Sequence, residues 1–429
     1  AAGQRFEFFP AVSAGWVASS EKFWEPISKY INHFKIRGSY GLVGSDAFAS
    51  GAPHFLYQNN IGIGSAHKFW TGLPTSEISK QGPGFYVLAV QDAGWEHVKK
   101  FDIGFDMMLF NQLNITFDYF HDKRERILMS RASWPSMLGY WGSKPWSNIG
   151  EVENQGFELS LNWTKQFGKD LTLDLRGNFT YNQNEYKYVD EPSYPYVWQT
   201  NTGKPLNTVK GYIAEGLFAS EEEIANSPDQ SQLGANIMPG DIKYADVNGD
   251  GKIDENDEVP IGATNRPNLI YGFGLSAEWK GFDINILFQG AGKSTFCIEG
   301  PTVYPFKNGD WGNILTDMAN SNRWILGENE NPNAEYPRLS YGGNSNNYRP
   351  STYWLRNGSY LRLKNLEIGY NIPKSLINKI HLNNVRLYFM GTNLITFSNF
   401  KLWDPELGST NGQAYPLSRS YTLGLTINI

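Results

Sequence analysis

The stretch DVNGDGKIDEND (246–257) spaces its oxygen donors as a calcium-binding loop does. Asp246, Asn248, Asp250, Asp254 and Asp257 fall at loop positions 1, 3, 5, 9 and 12, and Gly251 takes the turn at position 6. Lys252 offers its backbone carbonyl. Carboxylate, amide and carbonyl oxygens are the hard ligands Ca2+ prefers; Asp257, in place of the usual glutamate, has a shorter reach. The flanks GDIKYA and EVPIGATNRP carry Gly, Pro and β-branched residues without a helical period, so a structural ion is expected, not a sensor. The same residues also make an acidic turn held by Asx hydrogen bonds.

A second set of candidates is aromatic. Trp134, Trp141 and Trp146 lie in 126–151, and Tyr194, Tyr196 and Trp198 in 188–267. Trp311, Trp324 and Trp354, with Arg323 and Arg349, lie in 295–358. Rings beside polar groups suit sugar faces, and peptides nearly as well. Rings of this kind also pack long loops and form interfacial girdles. QGAGKST (289–295) imitates a phosphate loop, but Leu287 stands where its first glycine belongs and the stretch ends a strand pattern. The six histidines are scattered, Cys297 is the single cysteine, and no H-E-x-x-H or G-x-S-x-G occurs, so no catalytic residue is expected.

The elements that must position these residues show period 2. In LTLDLRGNFTY, Leu171, Leu173, Leu175, Phe179 and Tyr181 face one way, while Asp174, Arg176 and Asn178 face the other. FELSLNWT, LNITFDYF, FDINILFQ and YTLGLTINI repeat the pattern. Strands are expected at 5–18, 31–44, 97–110, 113–125, 153–166, 171–187, 268–280, 282–294, 359–372, 384–396 and 418–429. In LRLKNLEIGYNI the apolar parity switches between Leu363 and Leu366, which predicts a bulge near Lys364-Asn365.

Tight turns close one end of this array, and long connections (45–96, 126–151, 188–267, 295–358, 397–418) fill the other. That asymmetry fits an all-β chain forming about eleven strands of a transmembrane antiparallel β-barrel, with long loops extracellular and the C-terminus periplasmic. No apolar run is long enough for a membrane-spanning helix, and a barrel needs none. A net charge of −6 without a basic stripe argues against nucleic acid. Eleven antiparallel strands leave the first and last running the same way, so half of a larger barrel is expected.

RFEFFPAVSAGWVASSEKFW, PGDIKYADVNGDGKIDENDEVPIGATNRPNLIYGFGLSAEWKGFDINILFQG, LRNGSYLRLKNLEIGYNIPKSLI, VRLYFMGTNLITFSNF and WDPE follow one another here as in a known family. In these the chain resembles the SusC/RagA family, TonB-dependent outer-membrane transporters of Bacteroidetes. The resemblance implies a plugged barrel of about 22 strands, of which these residues form the C-terminal half. It further implies a plug-bearing N-terminal segment that contacts a TonB complex, a SusD-like surface lipoprotein, and an oligosaccharide or peptide as cargo. The chain departs from the usual barrel ending, since an aromatic is replaced by Ile429. A passive porin and a soluble β-rich glycan-active enzyme are the competing readings. The first would lack a plug, and the second would require solubility without detergent.

Overall fold

The computed structural model describes residues 6–46, 52, 55–73, 76–90, 93–135, 137, 144–234, 236–309, 312–320, 323–377 and 382–428. Eleven strands form one antiparallel sheet in chain order: β1 Ala11–Val17, β2 Ile31–Ser45, β3 Glu96–Leu109, β4 Leu113–Ser130, β5 Trp146–Phe167, β6 Leu171–Tyr188, β7 Leu269–Trp279, β8 Phe282–Gly292, β9 Tyr360–Asn371, β10 Asn384–Ser398 and β11 Ser420–Asn428. Each pairs with its sequence neighbours, leaving β1 and β11 at the edges.

Register carries one apolar row across the sheet: Trp16, Ile36, Phe105, Phe117, Leu159, Phe179, Tyr271. Within it Phe105 and Phe117 stack at 5.6 Å, and Phe179 stacks diagonally on Phe157 of the next row at 5.6 Å. Cross-strand aromatic pairs of this sort stabilise a sheet face that has no protein layer over it. From Leu171 to Tyr181 the apolar face of β6 climbs about 25 Å once strand rise and tilt are counted, the height of a barrel's lipid band. Lys280 and Gly281 both adopt positive φ (48° and 89°) in the two-residue β7–β8 turn, whose twist matches that of the paired strands.

The opposite face is polar, and several of its charges pair with one another. Arg37 reaches Asp118 at 2.6 Å and Asp106 at 3.3 Å, and the Nε of Arg386 donates to Asp283 at 3.1 Å. Glycines lie under these side chains: a Cβ on Gly104 would sit 2.2 Å from Asp118, one on Gly274 would sit 2.7 Å from Arg176, and one on Gly369 would strike Arg386 and Asp283. The charged groups therefore lie flat against the sheet.

At the end opposite the tight turns, the long connections 189–268, 293–359 and 399–419 build one body with its own core. Leu217, Ile242, Tyr244, Ile253, Ile298, Val303, Met318, Tyr336, Trp354 and Phe400 are buried together there. Main-chain bonds tie the loops: Tyr212 N donates to Pro350 O at 3.0 Å, Leu217 N to Pro332 O at 2.8 Å, and Glu299 N to Thr410 O at 2.9 Å.

Three expectations need correction. β4 and β5 run on to Ser130 and from Trp146, so the connection is 131–145 and Trp146 begins a strand. A register shift at Arg124/Ile127, with Arg126 at φ 57°, breaks the alternation that would have shown this. Connection 46–95 contains a long hairpin, Asn60–Leu73 with Ser76–Val87, which belongs to no larger sheet. Among the expected strands, β1 is shorter and starts at Ala11.

Candidate ligand surface of the long loops

The loop 246–257 is held by its own carboxylates. Asp246 accepts from Gly249 N at 2.7 Å and Gly251 N at 2.8 Å. Asp250 accepts from Lys252 N at 2.9 Å and from the Asn248 amide at 3.0 Å. Asp254 caps the turn 255–257 through Asn256 N at 2.8 Å. Asp257 is fully buried, with one oxygen on Val247 N (2.8 Å) and the other on Asp254 N (2.9 Å). Among the described residues no group of three or more His, Cys, Asp or Glu converges as a metal site. The donor types still fit a hard cation: each carboxylate has about four acceptor positions, and Asp246, Asp250 and the Lys252 carbonyl keep some of theirs. Asp257 acts as a backbone staple in this geometry.

The aromatic candidates divide by burial. Trp354 and Trp324 lie inside the loop body, 0% and 4% exposed, and serve its core. Trp354 donates from Nε1 to Asn347 O at 2.7 Å and packs edge-on to Tyr304 at 5.4 Å. Arg349 donates to Leu233 O and lies 5.9 Å over the Tyr212 ring; Arg323 donates to Ala319 O at 2.8 Å. Both arginines brace the loops. Trp146 packs on the small cluster of Leu56, Val90 and Leu128 at the hairpin's base. Trp134 is half-buried in 131–145. Trp141 and Trp311 lie outside the described residues.

Tyr194, Tyr196 and Trp198 remain accessible in part. Tyr196 and Trp198 stack at 4.6 Å and 10°, and Trp198 Nε1 donates to Asn256 O at 2.8 Å. The stack thus leans on the end of the acidic loop. Lys210 donates to Gln199 O at 2.7 Å and fixes the turn beneath. At the root of this segment Asp190 takes the N–H and hydroxyl of Ser133, each at 2.9 Å. Burial alone would raise the Asp190 carboxyl, but these bonds and Arg131 hold it below the ordinary aspartate range. Glu191 is likewise opposed by burial and lowered by the N–H groups of Asn201 and Thr202. Within the core, burial pushes the Tyr212 hydroxyl up to about 12 and the Cys297 thiol up to about 11, so neither is charged near neutrality.

Two polar clusters escaped the sequence reading. Asp241 is fully buried and binds Arg338 Nε at 2.8 Å, Asn344 at 3.0 Å and Asn347 at 2.9 Å. Arg362, on the polar face of β9, meets Asp404 and Glu406 from WDPEL. The parity switch at Lys364 marked the neighbourhood of the second cluster; nothing in the spacing marked the first.

The family described as TonB dependent receptor-like, beta-barrel matches residues 2–394. The chain is 29% identical to TonB-dependent receptor P3 of Formosa agariphila over 450 residues, covering 99% of this chain and 42% of that protein. It is 24% identical to TonB-dependent receptor SusC of Bacteroides thetaiotaomicron, covering 99% of this chain and 40% of that one. Among solved structures, the RagAB peptide transporter superposes with a TM-score of 0.70 at 22% identity, over 98% of this chain and 43% of that one. The chain thus spans about two-fifths of the length of the curated relatives it matches.

Proposed function

From the premise that the chain belongs to the TonB-dependent receptor-like β-barrel family of the bacterial outer membrane, we propose that it is the C-terminal barrel half of an energised importer of SusC/RagA type. The observation that carries this reading is one sheet with three zones: a lipid-height apolar face, a polar face with paired charges, and a cored body at one end. A passive pore has no use for so large an ordered body at its mouth; a transporter that must select and retain a bulky solute does. The remaining length of the relatives supplies, in this proposal, the other barrel strands and the plug that engages a TonB complex.

The cargo class is a bulky polar solute, an oligosaccharide first and a peptide second. The Tyr194, Tyr196 and Trp198 shelf is the ring-bearing surface offered to it. The SusD-like lipoprotein would cap the loop body and hold the hairpin 60–87, since an isolated two-stranded hairpin is barely stable in water and this one has Trp70 63% exposed. Ca2+ at 246–257 would be structural, fixing the turn against which Trp198 rests.

Native mass spectrometry of the assembly, extracted in detergent from its own outer membranes, tests the reading. Co-purification with a plug-bearing segment and a lipoprotein supports it. A plugless pore, or a chain soluble without detergent, sinks it.

A further inference from the structure

β9 contains a bulge with a purpose. Phe288 pairs with Leu363 and Leu287 with Asn365, so Lys364 has no partner in the ladder. The bulge leaves Lys364 able to bind Glu406 at 3.3 Å, beside Arg362, which is 1% exposed and bound to Asp404 and to Glu406 (3.2 Å). Arg362 also lies 5.6 Å over the Tyr360 ring. Asp404 in turn caps the short turn Pro405–Leu407 through Glu406 N at 2.9 Å.

The other side of this segment grips the loop body. Phe400 is buried edge-on to Phe296 at 5.2 Å and to Trp403 at 4.9 Å. Thr410 O accepts from Glu299 N at 2.9 Å, and Asn411 O accepts the Thr302 hydroxyl. Residues 400–411 are therefore fastened at one side to the polar face of the sheet and at the other to the external body. Immediately beyond, Tyr415 is 91% exposed, so the fastening is confined to 400–411.

We propose that 400–411 is a strap drawn across the polar wall beneath the loop body, and that Arg362, with Lys364, is the lock that keeps it there. Two carboxylates meeting one buried guanidinium form a discrete two-position device: the pairs are made, or the strap lets go as a unit. Release would uncover the wall around Arg362 and its register partners Gln289 and Thr396 to material arriving from outside. The lock is thus a point at which access between the external body and the barrel interior is set. This rests on the polar face being the lumen side.

The test uses the full-length transporter in cells. Gln289→Cys is introduced, and its labelling by a membrane-impermeant maleimide is timed; buried Cys297 gives little background. With Arg362→Gln, labelling is expected to accelerate about tenfold or more, the scale of one charge-assisted bond lost. Arg362→Lys should fall between. Asp404→Asn and Lys364→Gln, gentler changes for the case in which Arg362→Gln does not assemble, should each accelerate it less. Unchanged labelling in assembled variants overturns the strap. Ile286→Cys on the apolar face is the control: labelling there would refute the barrel reading itself, whatever the strap does.

Discussion

Trp354→Ala separates packing from ligand contact at the residue where the two readings differ most. The side chain is wholly buried among Tyr304, Tyr336 and Tyr353. A tryptophan buries about 150–250 Å², which at ~25 cal/mol/Å² is worth roughly 4–6 kcal/mol; truncation to alanine in cores costs about 3–5 kcal/mol. A loss of ~4 kcal/mol raises the open fraction of the loop body about a thousandfold. Hydrogen exchange by mass spectrometry on the full-length protein reads this directly. Protection should collapse at 212–217, 242–253, 296–304 and 334–336, and persist in β3–β6, which share no core with Trp354. Trp354→Phe keeps a ring but leaves Asn347 O without its donor, for about 1–3 kcal/mol. If Trp354→Ala left loop exchange unchanged while abolishing cargo binding, the core assignment would be wrong.

Four further outcomes are expected. Asp241→Asn should destabilise the loop body by about 3 kcal/mol, because Arg338 loses its counter-charge in a buried network; exchange at 238–244 and 344–348 is the measurement. Cys297 should resist iodoacetamide at pH 8, where about one thiol in a thousand is ionised, and react once the protein is denatured. Asp190 and Glu191 have lowered folded pKa values, so their stabilisation is complete above about pH 5 and is lost as pH falls through the folded values. Proteolysis within 189–204 should therefore rise on acidification, and Glu191→Gln should blunt that rise. Tb3+ added to chelator-treated full-length protein should show tryptophan-sensitised emission from Trp198 beside the acidic loop, competed by Ca2+ and removed by Asp246→Asn; no emission would discard the ion.

The barrel was legible because a strand between lipid and lumen must alternate, and here that pattern survives without long-range information. Even the bulge at Lys364 was visible, since one added residue flips every later side chain. The hairpin 60–87 was not, because glycines (Gly62, Gly64, Gly82, Gly84) interrupt its strands and break any apolar alternation. The division of the aromatic candidates by burial was hidden for a different reason. Tryptophan in a loop reads the same whether it meets a sugar or another loop, and Trp354 is buried in part by residues some 50 positions away, Tyr304 and Ile298 among them. The donor spacing of 246–257 was plain, whereas the direction of each carboxylate depends on local N–H groups that spacing does not reveal.

The glycine beds beneath Arg176, Arg386 and Asp118 bear on friction. On the reading proposed above, in which this face lines a lumen, Arg386 and Asp118 are folded down and already mated to charged partners, and Arg176 lies down onto the Asn285 amide. Such a wall would offer a body inside it few ridges to catch on and few unspent charges to hold it. Adhesion would then be low in any register, and a pull at one end could shift the contents without breaking strong bonds along the whole length. A wall of upright, unmated arginines would grip.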